Sequence, residues 1–126
     1  MILGTGIDII EVARIASSYE KFGERFVNRI LLPNEIAYCL AHKNPAPFLA
    51  ARFAAKEAVS KCFTTGIGAE FGWKSASVYH GERHQPLVHL DEKGQALLAS
   101  VGATHVILTL SHTDTVAMAV AALVRA

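Results

Sequence analysis

The chain is poor in charge and in cysteine, and it has no long apolar run. Asp, Glu, Lys and Arg make up only 18% of its 126 residues, against 52% hydrophobic. Disordered tails and nucleic-acid-binding arms need the reverse balance, so both are excluded. The net charge is +1, from 12 Lys and Arg against 11 Asp and Glu, so no global basic field exists to hold a nucleic acid. Two cysteines, Cys39 and Cys62, are too few for a disulfide framework. Both fall in apolar helical patterns and read as buried free thiols. The longest apolar run, Val116 to Val124, is about half a membrane span. The start MILGTGIDII has no basic segment and is interrupted by Asp8, so it is not read as a signal peptide. The expectation is a soluble cytoplasmic protein with no membrane partner.

What is present is an apolar excess in a single domain, residues 1–126. A monomer of this composition has too little polar surface to cover itself, which predicts an oligomer. Charge is also uneven. Residues 1–63 hold eight Lys/Arg and six Asp/Glu, while residues 64–126 hold four and five. Arg14, Lys21, Arg25 and Arg29 crowd the first thirty positions and offer a basic face to an acidic partner. Arg14, Lys21 and Arg25 share one helical face if the helix continues past Gly23.

The pattern alternates between two periods. Ile2–Ile10 reads as a strand in which Gly4 and Gly6 permit close packing or a bulge. Glu11–Phe22 reads as a helix broken by Gly23, with a short helical piece at Phe26–Leu31 and another helix at Asn34–Ala41 behind Pro33. The strongest helix runs Phe48–Phe63, entered through Pro45 and Pro47 and closed by Gly66 and Gly68. Lys74–Tyr79 and Leu87–Leu90 read as strands around the turn HGERHQP. Asp91 caps a helix through Ser100, ended by Gly102. His105–Ser111 and Thr115–Leu123 form a last hairpin. The fold class is α+β, an antiparallel sheet with helices packed on one face.

Three segments carry chemistry. In RFAAKEAVSKCF, Leu49, Phe53, Glu57 and Lys61 lie four apart on one stripe. The first two should face the core, so a charged pair continuing the stripe needs a reason. A surface Glu-to-Lys pair is the plainer one. In GTGIDII, Asp8 is a lone carboxylate between isoleucines. Burying it is costly unless it is paired, capping a helix, or on a metal. Arg14 is one partner for it. Joined to Glu57, it gives two carboxylates from separate elements, which with phosphate oxygens and water suit Mg²⁺. Lys61 would then neutralise a phosphate. In LSHT, Ser111 and His112 end an apolar strand. Neighbours on a strand point to opposite faces, so they do not form a nucleophile dyad. A phosphate contact or a plain turn remains. His80, His84 and His89 lack zinc spacing, and TTGIG matches no phosphate-loop fingerprint.

GTGIDIIEVARI, RFAAKEAVSKCF and LSHTDTVAMAVA occur in this order across the whole chain. In that order and spacing they resemble the holo-[acyl-carrier-protein] synthases, the small bacterial class of 4′-phosphopantetheinyl transferases. The resemblance implies the 4′-phosphopantetheinyl transferase fold and a reaction. The phosphopantetheine arm of coenzyme A would move to a serine of apo-acyl carrier protein in fatty acid biosynthesis, releasing adenosine 3′,5′-bisphosphate. It implies that Asp8 and Glu57 hold Mg²⁺, that Lys61 contacts the phosphates, and that Ser111 and His112 lie near coenzyme A. Arg52 is a candidate for the 3′-phosphate, or else a solvated helix charge. Pro86 belongs to the turn beside the pantetheine. The acidic carrier protein would dock on the Arg14, Lys21, Arg25 face. A homotrimer with sites between subunits is implied as well.

The sequence departs from the family pattern at Phe53, where Trp is usual, at Leu110 for Ile, at Thr65, and at His84 where the turn usually has Gly. Two other function classes compete. One is a non-catalytic binding module for coenzyme A or a nucleotide on the same scaffold, which need not keep Asp8, Glu57 and Lys61 together. The other is a structural oligomerisation domain, dependent on neither metal nor coenzyme A.

Overall fold

The computed structural model describes residues 1–126. The elements run β1 (Ile2–Glu11), α1 (Val12–Phe22), α2 (Glu24–Ile30), α3 (Pro33–Leu40), α4 (Ala46–Cys62), β2 (Ala76–His80), β3 (Pro86–Leu90), α5 (Glu92–Ser100), β4 (His105–His112) and β5 (Val116–Val124).

The glycines of β1 decide how α4 packs. Gly4 and Gly6 are two residues apart and share a face. A Cβ on Gly6 would run into the Ala58 carbonyl oxygen, and one on Gly4 would lie 2.7 Å from that of Cys62. The strand backbone therefore rests directly on the second half of α4. The register of β1 against β5 also shifts between Ile2 and Gly4, so both expected roles of these glycines occur.

β1, β5 and β4 make an antiparallel sheet in the order β1-β5-β4. The β2–β3 hairpin is a separate two-stranded sheet rather than an extension of it. Helix α4 covers one face of the three-stranded sheet, packing on β1 and β5. The other face exposes Ile7, Ile9, Ile107 and Val120, each at least 40% accessible.

Helix boundaries follow backbone chemistry. Gly23, at φ 55°, ends α1, and α2 starts at the next residue, two earlier than the sequence pattern suggests. Pro45 and Pro47 are tolerated at the entrance to α4, which begins at Ala46 rather than Phe48. Asp91 caps α5 as expected, its carboxylate accepting from the Gly94 N–H at 2.8 Å.

α4 is buried around most of its circumference. Ala50, Ala51, Ala54, Ala55 and Ala58 are at most 2% exposed. Along the predicted stripe, Leu49 is buried, while Phe53 is only half-buried, against Trp73 at 4.8 Å between rings. Cys39 and Cys62 are buried free thiols, and burial pushes each up to about 11. No helix is long and apolar enough to cross a membrane.

Candidate active site

Asp8 lies in the middle of β1, on the face that α4 covers. It faces Lys61 rather than Arg14: the Lys61 ammonium donates to Asp8 Oδ1 at 3.1 Å and to the Ile7 carbonyl at 2.9 Å. Nor does Asp8 cap a helix, since α1 has no side-chain cap. Lys61 is half exposed and Asp8 only 16% exposed. Glu57 stands one turn before Lys61 on α4, half-buried. The expected surface Glu57–Lys61 pair does not form. Burial, and then the charge of Asp8, push the Glu57 carboxyl above its ordinary range, and Lys61 only partly offsets them. A carboxylate whose proton affinity is raised by a neighbouring carboxylate would be relieved by a cation placed between the two.

No His, Cys, Asp or Glu group of three or more assembles a metal site. An all-protein cage is thus absent, and a cation here would need oxygens from a ligand. That donor set, two carboxylates and no nitrogen or sulfur, fits Mg²⁺, which keeps waters and substrate phosphates in its shell.

Arg52 occupies a second site. It precedes Glu57 by five residues, about 140° around the helix at 100° per residue. It is not a solvated helix charge, being only 2% exposed. Its guanidinium lies over the Tyr38 ring of α3, with Cζ 4.4 Å from the centroid. A cleft of about 190 Å³ opens there, lined by Arg52, Phe48, His80, His84, Pro86 and His112 among others. His112 packs edge-on against Phe48 at 5.0 Å. Ser111 lies one residue back on β4, outside the cleft, and projects from the uncovered sheet face.

The structure thus divides the predicted residues. Asp8, Glu57 and Lys61 meet at the β1 edge. Arg52, Pro86 and His112 meet at the β4 edge, two strand spacings or about 10 Å away.

Two residues were not singled out from the sequence. Lys56, fully buried, donates to Glu35 Oε1 at 2.7 Å and to the carbonyls of Trp73 and Ala76 at 2.8 and 2.9 Å. Glu35 also accepts from the N–H groups of Leu32 and Val78. Burial presses the Lys56 ammonium below its ordinary range, and Glu35 counters it. The spacing of four from Arg52 marks Lys56 as inward-facing only once the burial of Arg52 is known.

The basic N-terminal residues do not form one continuous helical face, because Gly23 intervenes. Arg25 and Arg29 line a hollow of about 290 Å³ with Ser18, Phe22 and Phe26. Arg14 lines a different one, with Ile9, Ile10, Glu11 and Val116.

Comparison with known proteins agrees with this architecture. The family profile described as 4′-phosphopantetheinyl transferase superfamily matches residues 4–121. A holo-[acyl-carrier-protein] synthase of Chlamydia trachomatis is 48% identical over 118 residues, covering 94% of this chain and 96% of that protein. A crystal structure of the Neisseria meningitidis holo-[acyl-carrier-protein] synthase superposes with a TM-score of 0.89 at 32% identity, covering 98% of both chains. A Bacillus anthracis holo-(acyl-carrier-protein) synthase, solved in complex with CoA (3′,5′-ADP), superposes at 0.83 with 35% identity, covering 100% of this chain and 99% of that one. On sequence and fold together, the chain belongs to the 4′-phosphopantetheinyl transferase superfamily and, within it, to the holo-[acyl-carrier-protein] synthases.

Proposed function

We propose that this protein is a holo-[acyl-carrier-protein] synthase that moves 4′-phosphopantetheine from coenzyme A to a serine of apo-acyl carrier protein. The observation that carries the reading is the Asp8–Glu57–Lys61 cluster: two neighbouring carboxylates, Glu57 raised in proton affinity by burial and by Asp8, and a lysine, presented at one edge of the sheet. A binding-only module need not keep Asp8, Glu57 and Lys61 together.

The serine oxygen forms a bond to the β-phosphorus of the pyrophosphate, and the bond from that phosphorus to the bridging oxygen breaks. Adenosine 3′,5′-bisphosphate leaves with the bridging oxygen. Lys61 offsets the charge that develops on the departing phosphate. The serine proton must go to a base. Glu57, directly or through a water, is the candidate for that role, since it cannot be fully committed to a metal and also be the sole base. Asp8 and Glu57 would hold Mg²⁺, which would neutralise the pyrophosphate and make its phosphorus more electrophilic. Arg52, with His112 and Pro86 beside it, would hold the 3′-phosphate end of coenzyme A.

The α4 helix stands between the two halves within one chain. A second copy bringing its Arg52 half against this copy's Asp8 half removes that obstacle. The uncovered apolar sheet face supports such an assembly. We read it as a homotrimer with Ser111 near the shared boundary. The hollow with Arg25 and Arg29 over Phe22 and Phe26 suits an acidic carrier protein that also offers an apolar side chain.

The test is the intact mass of apo-acyl carrier protein after incubation with this protein and coenzyme A, with Mg²⁺ or with excess EDTA. A gain of one phosphopantetheine in Mg²⁺ alone is expected. Glu57→Ala should slow it at least about 100-fold while the protein stays folded. Coenzyme A binding with no mass gain on several carrier proteins would refute the transferase reading in favour of a binding module.

A further inference from the structure

Arg52 is a buried cation without a counter-ion. Neither salt bridge in the chain involves it, and its Nε has no hydrogen-bond partner. Such a charge is costly to bury, so the site is built for an anion from outside. Its Nη2 lies 3.3 Å from Nε2 and 3.5 Å from Nδ1 of His80. Being nearly equidistant, it spends neither ring nitrogen cleanly. The His80 ring is itself seated on Tyr38, at 4.5 Å between centroids. One aromatic ring therefore carries both the guanidinium and the imidazole at the mouth of the cleft.

We propose that His80 is a second phosphate-binding residue of this cleft. Its imidazole and the Arg52 guanidinium together take the 3′-phosphomonoester of coenzyme A, and His80 accepts a proton as the dianion enters. The proposal rests on the reading that Arg52 meets the 3′-phosphate. A phosphomonoester carries close to two charges at neutral pH, and Arg52 supplies one. Of its neighbours, His80 is the imidazole within hydrogen-bond distance of the guanidinium.

The surroundings decide the direction of titration. His80 faces Arg52 of α4, Tyr38 of α3 with His42 behind it, His84 of the turn, and His112 across the cleft. The nearby carboxylate, Glu35, is already occupied by Lys56 and by the Val78 and Leu32 N–H groups. Burial, then the Arg52 and His84 charges, hold the His80 imidazole below its ordinary range, so it is neutral at pH 7 in the empty cleft. A dianion seated on Arg52 reverses the electrostatic cause. The preference for a 3′-phosphate therefore weakens as pH rises through the proton affinity of His80 in the bound state.

Affinities for coenzyme A and 3′-dephospho-coenzyme A decide this, measured by titration calorimetry on the full chain near pH 7.5 in two buffers of different ionisation enthalpy. The unmodified protein should prefer coenzyme A at least about tenfold, with proton uptake that dephospho-coenzyme A does not show. His80→Gln should cut the preference about tenfold and abolish the uptake. His80→Lys, a permanent cation, should keep the preference and lose the uptake. It also decides the matter alone if His80→Gln does not fold. If Arg52→Gln loses the preference while His80→Gln keeps both preference and uptake, the phosphate subsite stands and the role of His80 is overturned. If the unmodified protein binds both ligands equally, the reading of Arg52 fails and the proposal with it.

Discussion

His84 adopts φ 61°, a left-handed conformation that costs an L-residue about 1–2 kcal/mol and glycine almost nothing. The turn requires it: the His84 N–H reaches back to the Gly81 carbonyl at 3.0 Å, and Gly81 N–H reaches the Gln85 carbonyl at 2.9 Å. A glycine would sit in this turn without that cost, and the chain keeps the turn with histidine. His84→Gly should raise stability by about 0.5–1 kcal/mol, the relief being partly offset by the extra freedom of the unfolded chain. Urea denaturation checks it, and an unchanged or lower midpoint would show that the turn stores no strain. Residue chemistry of this kind was partly legible. A lone Asp8 between isoleucines announces a need for a partner, and Lys61 meets it. The identity of that partner was not legible, because it is set by which face of β1 the glycines press against α4. Arg52 posed the opposite difficulty. Its burial depends on Tyr38 and His80, which no local spacing brings near it.

Helix α4 is the element on which both halves of the site hang, and a buried pair ties it to its neighbours. Lys56 spends all three of its donors on Glu35, Trp73 and Ala76, tying α4 to α3 and to the segment entering β2. Lys56→Met should cost about 3–5 kcal/mol, chiefly by leaving the Glu35 carboxylate buried without a cation. Glu35→Gln combined with Lys56→Met should cost less than the sum of the two single changes. Denaturant unfolding of the three variants gives the cycle, and a purely additive result would show that the pair is not coupled. The sequence marks α4 clearly through its prolines, alanines and following glycines. Its apolar stripe says only which side is most apolar. That the helix is walled on its other sides as well follows from the β2–β3 hairpin and α3 closing over it. For that reason the stripe did not single out Lys56, and Phe53 lies shallower than it implies.

At the scale of the whole molecule, the two halves of the site and the bare sheet face are one problem. Asp8, Glu57 and Lys61 sit on one side of α4, and Arg52 with His112 on another, so a ligand spanning both within one chain would have to pass around the helix. If neighbouring copies supply the halves, the apolar face of Ile7, Ile9, Ile107 and Val120 is the surface that closes between or beside them. The apolar excess of the composition pointed to assembly, but not to its geometry, since composition carries no direction. Subunit mixing separates the possibilities. Glu57→Ala protomers keep an intact Arg52 half, and Arg52→Gln protomers keep an intact Glu57 half. Each preparation alone should be nearly inactive. Dissociated, mixed in equal amounts and reassembled, they should regain activity, because roughly a quarter of randomly formed boundaries join two intact halves. The carrier-protein mass assay reads the recovery. A site completed within one chain leaves every protomer of the mixture defective, so no recovery from a demonstrably mixed oligomer would place both halves in the same subunit.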